Sequence, residues 1–238
     1  MLREMLFATA VLLHGCSESS LNGADLVDAS TTDSDSDSFD SDSDANADLA
    51  LSTQSPDLST KPDLLNAYKI DLTDVFNAKW IYRDGVSFAV GGGLGSAGLA
   101  FSAENLAAVG FGYLVSDNLD VVRAIGQRIR LPHVQARTLH VLATTANGPV
   151  SYNAAVTYDD ASMMTFLQTS SDWLSPRGFV HESIAAEMQH YNRYDGKRAT
   201  SKCYIYSYDF SLDPAKVIDS FLLPDVGNFG ILAAYLVQ

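Results

Sequence analysis

Three successive patterns of apolar and polar positions run along the chain. Residues 5–13 (MLFATAVLL) form a short apolar run that ends at Leu13-His14-Gly15-Cys16. Residues 17–62 carry almost no large apolar pattern, and their centre is a Ser-Asp alternation from Asp33 to Asp44. From Asp63 onward aromatics recur, and short apolar runs are separated by Gly, Asn, Asp and Pro.

Within residues 63–238 the dominant period is two, the spacing of half-buried strands. Residues 150–158 (VSYNAAVTY) place apolar or aromatic side chains at 150, 152, 154, 156 and 158. Residues 203–210 (CYIYSYDF) align Tyr204, Tyr206, Tyr208 and Phe210 on one face. Residues 229–237 (FGILAAYLV) are apolar throughout, as in a strand buried on both faces. Shorter strands are expected at 127–131, 138–144 and 86–90, with turns at Asn147-Gly148-Pro149, Asp159-Asp160, Asp195-Gly196, Asp213-Pro214 and Pro224-Asp225. Helical signals are few. Ser102 could cap a two-turn helix through Val109, residues 214–220 could make one turn, and residues 182–190 read as a short helix or an irregular loop. The expected fold is all-β, a β-sandwich or jelly roll with one or two short helices, preceded by a disordered linker.

The N-terminal pattern changes the picture from fold to destination. The run at 5–13 is shorter than the roughly 20 residues a membrane span needs. Together with Arg3 it has the form of an export signal over residues 1–15. Leu13, Gly15 and Cys16 resemble the lipobox of bacterial lipoproteins, with His14 departing from the small residue usual before the glycine. That resemblance implies lipidation of Cys16 and a protein anchored in the cell envelope by acyl chains. Ser17, following Cys16, favours the outer membrane or cell surface.

Charge is concentrated in the same region. Residues 1–62 hold two Glu and ten Asp against Arg3 and Lys61, a net −10 of the chain's −14. Residues 16–62 are therefore expected to be a disordered spacer whose charges repel and whose apolar content cannot offset ordering. No basic surface suited to a phosphate backbone is present, so nucleic acid is not an expected partner. With Cys16 lipidated, Cys203 has no partner for a disulfide and is expected to be a buried small hydrophobe.

Gly93-Leu-Gly95-Ser-Ala-Gly98 fits the dinucleotide fingerprint G-x-G-x-x-G, with Asp117 at the spacing of a ribose-binding acid. The match lies inside a longer glycine run beginning at Gly91, and no strand–helix alternation follows residue 125. Catalytic signals are sparse. Residue 185 is Ala, so His181-Glu182…His190 is not the H-E-x-x-H zinc motif, and no G-x-S-x-G elbow occurs. His181, Glu187 and His190 could converge on a metal, and a carboxylate pair involving Glu182 and Glu187 would be cryptic in sequence.

Taken in order, Tyr82-Arg-Asp-Gly-Val86, the glycine loop leading to Phe101-Ser-Ala-Glu-Asn-Leu106, residues 120–132 (DVVRAIGQRIRLP), Leu139-His-Val-Leu-Ala143, Asn147-Gly148, Val156-Thr-Tyr-Asp-Asp160, Ser171-Asp172-Trp173, Leu222-Leu-Pro224, and Asn228 with a closing strand resemble the galactose-binding-like β-sandwich accessory domains found beside secreted bacterial glycoside hydrolases. The resemblance implies a non-catalytic binding module for carbohydrate. Sugar recognition needs an aromatic platform beside planar hydrogen-bonding groups. Trp80, Trp173 and Tyr206 are the candidate platforms, with core packing the competing use of each ring. Asp84 and Asp172 are candidate ligand contacts, or holders of a structural calcium ion; no other cofactor is expected. The alternatives are a secreted hydrolase acting on polysaccharide and a structural or protein-interaction module of the envelope.

Overall fold

The computed structural model describes residues 67–238. The leader, Cys16 and the Ser/Asp-rich stretch of residues 16–62 lie outside the described residues. The strands are β1 Ala67–Lys69, β2 Ile81–Tyr82, β3 Leu99–Ser102, β4 Val122–Ile125, β5 Arg128–Arg130, β6 Thr138–Thr145 and β7 Val150–Tyr158. They continue with β8 Met163–Ser170, β9 Glu182–Met188, β10 Tyr191–Arg193, β11 Arg198–Ala199, β12 Cys203–Ser211, β13 Ile218–Leu222 and β14 Asp225–Val237. One α-helix, α1 Ala103–Ala108, starts at Ser102, whose Oγ accepts the Asn105 amide at 3.0 Å. Among the described residues no helix is long and apolar enough to cross a membrane.

A central sheet runs β1-β14-β6-β12-β9, with β4 also pairing with β14. The 13-residue β14 is its spine: Leu236 faces Leu139, and Gly230 faces both Thr144 and Arg123. A second antiparallel sheet, β5-β13-β7-β8, covers one face of the central sheet. A smaller sheet, β11-β10-β3-β2, covers the other face together with α1. The molecule is thus a β-sandwich with an added third layer.

This layering explains why the central strands are apolar at consecutive positions. On β12, Tyr204, Tyr206, Tyr208 and Phe210 enter the sandwich core with Tyr152, Phe221 and Phe229. The intervening Cys203 and Ile205 enter the second core with Trp80, Phe101, Leu106 and Trp173. Period-two alternation therefore survives as a choice between two interiors. β7 and β12 match their expected spans, α1 follows its cap, and β14 includes the doubly buried run.

Three expectations change. Residues 182–188 form β9, paired with β12 across a bulge, because cross-strand pairing with Cys203–Tyr208 outweighs the helical signal of the Ala-Ala-Glu sequence. Residues 214–216 are a turn and Ile218 already belongs to β13, so there is no helix there. Residues 86–90 form no strand, and the glycine loop runs into β3 before α1 is reached. The fingerprint loop therefore does not open a helix from a parallel strand, which is what dinucleotide binding by this motif requires.

Candidate functional site

Four segments meet at a cleft of about 410 Å³: the loop of residues 91–98, Arg123 of β4, Asn147 in the β6–β7 turn, and Gly227-Asn228 of β14. Trp80 lines it. Each segment is set by local chemistry. The glycine loop folds back on itself, with Gly93 N–H donating to the Lys79 carbonyl at 3.2 Å and Leu94 N–H to the Leu99 carbonyl at 2.6 Å. Gly93 has φ +79°, and a Cβ there would lie 2.0 Å from the Leu99 carbonyl oxygen. Only glycine closes this loop. Leu94 then plugs into the second core and anchors the loop over Trp80.

Asn147 occupies the left-handed region with φ +64°, a conformation Asn tolerates, and its amide lies against Gly95. Asn228 Nδ2 donates to the Ala146 carbonyl at 2.9 Å, tying the turn to β14. Arg123 Nε donates to the Gly227 carbonyl at 2.9 Å, and its backbone N–H donates to Asn77 Oδ1 at 2.7 Å. Among the described residues, no carboxylate pairs with the Arg123 guanidinium and no side-chain hydrogen bond engages Asn147 or Ser96. The cleft thus offers a guanidinium, two amides and a hydroxyl with hydrogen-bonding capacity to spare.

The floor is held from below. Asp120, almost wholly buried, accepts the Trp80 amide at 2.7 Å, the Ile81 amide at 3.3 Å and Lys79 Nζ at 2.7 Å. Burial pushes its carboxyl above the usual range, with Lys79 and the two amides pulling the other way. A second groove of about 460 Å³ lies between residues 69–73 and 113–120. Several of its polar groups are already committed: Asp71 binds Thr73, Asp120 binds Lys79, and Tyr113 and Tyr235 bind each other.

The expected site residues separate. Trp80 is 2% exposed and Trp173 3%, so neither presents a ring face for a sugar to stack on. Trp173 packs edge-on against Phe101 and Tyr191, with centroids 5.6 and 4.9 Å away. Tyr206 is fully buried, and its hydroxyl donates to the Asp172 carbonyl at 2.7 Å. These aromatics build the cores because the central sheet is covered on both faces, which corrects the expectation of an aromatic platform. Asp172 is a turn brace: Oδ2 accepts the Gly148 amide at 2.7 Å and Oδ1 the Leu174 amide at 2.9 Å.

Asp84 and His190 do come together, from positions 106 residues apart. His190 Nε2 lies 3.1 Å from Asp84 Oδ2, and Arg198 reaches the same oxygen at 2.9 Å. Asn105 Nδ2 contacts His190 Nδ1 at 3.0 Å. Asp84 Oδ1 and Asn192 Oδ1 are buried acceptors without a donor among the described residues. A hard cation prefers six to eight oxygen ligands. Here Arg198 and His190 occupy Asp84 Oδ2, and Asp172 spends both oxygens on amides.

The remaining catalytic candidates are also committed. Glu182 accepts from the Ser171 amide and hydroxyl and from Tyr208, while Glu187 pairs with Lys202 at 2.5 Å. His181 does not join them in a metal-binding group among the described residues. Burial pushes the Cys203 thiol up to about 12, so it stays protonated and inert. Sequence reasoning passed over Arg123, Asn147 and Asn228. The signal available was Asn147-Gly148 and the dense glycines, read as a turn and a coincidental fingerprint.

No curated protein matches the chain. A family model described as the AziU2-like beta-sandwich domain matches residues 70–238, which is most of the chain, and the protein belongs to that family.

Proposed function

We propose that this protein is a non-catalytic binding module, tethered to the cell envelope through a lipid on Cys16, and that the cleft at Trp80 takes a carbohydrate. The observation that carries the ligand reading is the set of planar hydrogen-bonding groups around the cleft. Arg123, Asn147 and Asn228 are the side-chain types that read sugar hydroxyls, and they converge from three separate segments. A cleft of about 410 Å³ falls within the size range of small-molecule sites. Trp80 contributes a buried apolar floor in place of the stacking platform expected from sequence.

The anchor reading is supported by the apolar run ending in Cys16 and by the acidic, Ser-rich stretch that follows. Ser17, in place of the Asp that retains lipoproteins in the inner membrane of many Gram-negative bacteria, favours the outer membrane or cell surface. Two experiments test the two halves separately. Metabolic labelling with palmitate should mark the wild-type protein and not Cys16→Ala. The Cys16→Ala protein should be retained on a subset of a glycan array, and Asn147→Ala should abolish that retention. Retention on no glycan, with capture of an envelope protein instead, would move the module to the protein-interaction class.

A further inference from the structure

We infer that His133, Asp159 and Asp219 form a site for one divalent transition-metal ion of the zinc class, on the side of the sandwich away from the cleft's third layer. The three residues come from three chain segments: the loop after β5, the end of β7, and β13. One donor atom from each lies within 4.8 Å of the others. His133 Nδ1 is 3.0 Å from Asp159 Oδ1, and Nε2 is 3.7 Å from Asp219 Oδ1. Ligands bonded to zinc at about 2.0–2.2 Å stand roughly 3–4 Å apart, so small side-chain rotations suffice to close the set.

The backbone beneath is pinned in register. Asp159 N–H donates to the Val217 carbonyl at 3.0 Å, Ile218 N–H to Val134 at 3.0 Å, and Leu131 N–H to Asp219 at 2.8 Å. The β13–β7 register shifts between Ile218 and Ser220, which makes Asp219 the extra residue of a bulge. Bulges re-aim side chains in this way.

Two independent features point to an ion. Among the described residues neither Asp159 nor Asp219 pairs with Lys or Arg, so two carboxylates flank an imidazole with no fixed cation beside them. Asp219 is also oriented from behind: Ser220 Oγ donates to its Oδ2 at 2.8 Å, and Arg128 donates to Ser220 Oγ at 2.6 Å. Such outer-shell bonds are what hold a ligating carboxylate in place. One imidazole nitrogen and two carboxylate oxygens suit zinc or its first-row neighbours; calcium and magnesium prefer oxygen alone. All three side chains are solvent-accessible, leaving the remaining positions to water or to a ligand from outside.

The test is calorimetric titration of the full chain carrying Cys16→Ala, freed of metal with chelator, using zinc chloride as the probe. One ion per chain is expected, with His133→Ala abolishing binding and Asp219→Asn weakening it about tenfold or more. His181→Ala should leave the isotherm unchanged. Circular dichroism confirms that the surface variants fold. No stoichiometric binding by the parent protein, or the same isotherm in parent and His133→Ala, would overturn the site.

Discussion

Phe229 and Gly230 are neighbours on β14, yet they serve interiors built on opposite terms. Phe229 enters the sandwich core, where rings mesh in regular antiparallel register: Tyr152 lies 4.5 Å from it and Tyr208 6.4 Å, centroid to centroid. Gly230 faces the third layer, where the Trp80 ring presses onto the backbone and a Cβ would meet it at 2.2 Å. One face is stabilised by what its side chains fill. The other depends on what its backbone leaves empty. The second face also holds the buried Asp120 and Asn192 and borders the cleft.

The contrast predicts opposite sensitivities. Removing volume should hurt the first face most: Phe229→Ala is expected to cost about 3–5 kcal/mol in a urea unfolding series. Adding volume should hurt the second: Gly230→Ala is expected to cost about 1–3 kcal/mol, because Trp80 and Val121 must shift. The same variant should also distort the cleft. If Gly230→Ala were neutral while Phe229→Ala was severe, the close approach of Trp80 would not be a real constraint. A smaller effect tests the polar rim of the first face. Tyr208→Phe deletes the donor to Glu182 at 2.8 Å and should cost about 1–2 kcal/mol, with the fold unchanged by circular dichroism.

The second face also carries a pH signature. Burial pushes the Asp84 carboxyl up, but its polar surroundings, the His190 imidazole 3.1 Å from Oδ2 among them, prevail and hold it below the usual carboxylate range. A carboxyl depressed in the folded state contributes stability above its unfolded pKa and loses it as the pH falls through the folded one. Stability should therefore fall on acidification, and Asp84→Asn should flatten that slope, measured as urea midpoints from pH ~5 to ~2. An unchanged slope in the variant would remove Asp84 from the acid response. The smallest expected effect is chemical. Cys203, buried and protonated, should resist thiol reagents in the folded Cys16→Ala protein and react on unfolding.

The two faces were also unequally legible in the sequence. β7, β12 and β14 announce themselves because alternation and apolar runs are local signals that regular pairing preserves. The helix α1 was marked by its Ser102 cap. β9 was hidden, since Ala185, Ala186 and Glu187 favour helix until β12 supplies cross-strand partners. The third layer was hidden more deeply: β2, β3, β10 and β11 are two to four residues long, too short for a period to show. Trp80, Trp173 and Tyr206 were misplaced as a platform because sequence shows that a ring is large, not how many layers cover it. Arg123, Asn147 and Asn228 were missed because their convergence depends on β4 and β14 lying beside the glycine loop. The meeting of Asp84 and His190 across 106 positions was invisible for the same reason.

Retention of the Cys16→Ala protein on a glycan array, run beside Asn147→Ala and Arg123→Ala, tests the central claim most directly. The account predicts selective retention by the parent protein, lost in both cleft variants without loss of folding. Retention unchanged by both substitutions, or no retention on any glycan, would contradict it.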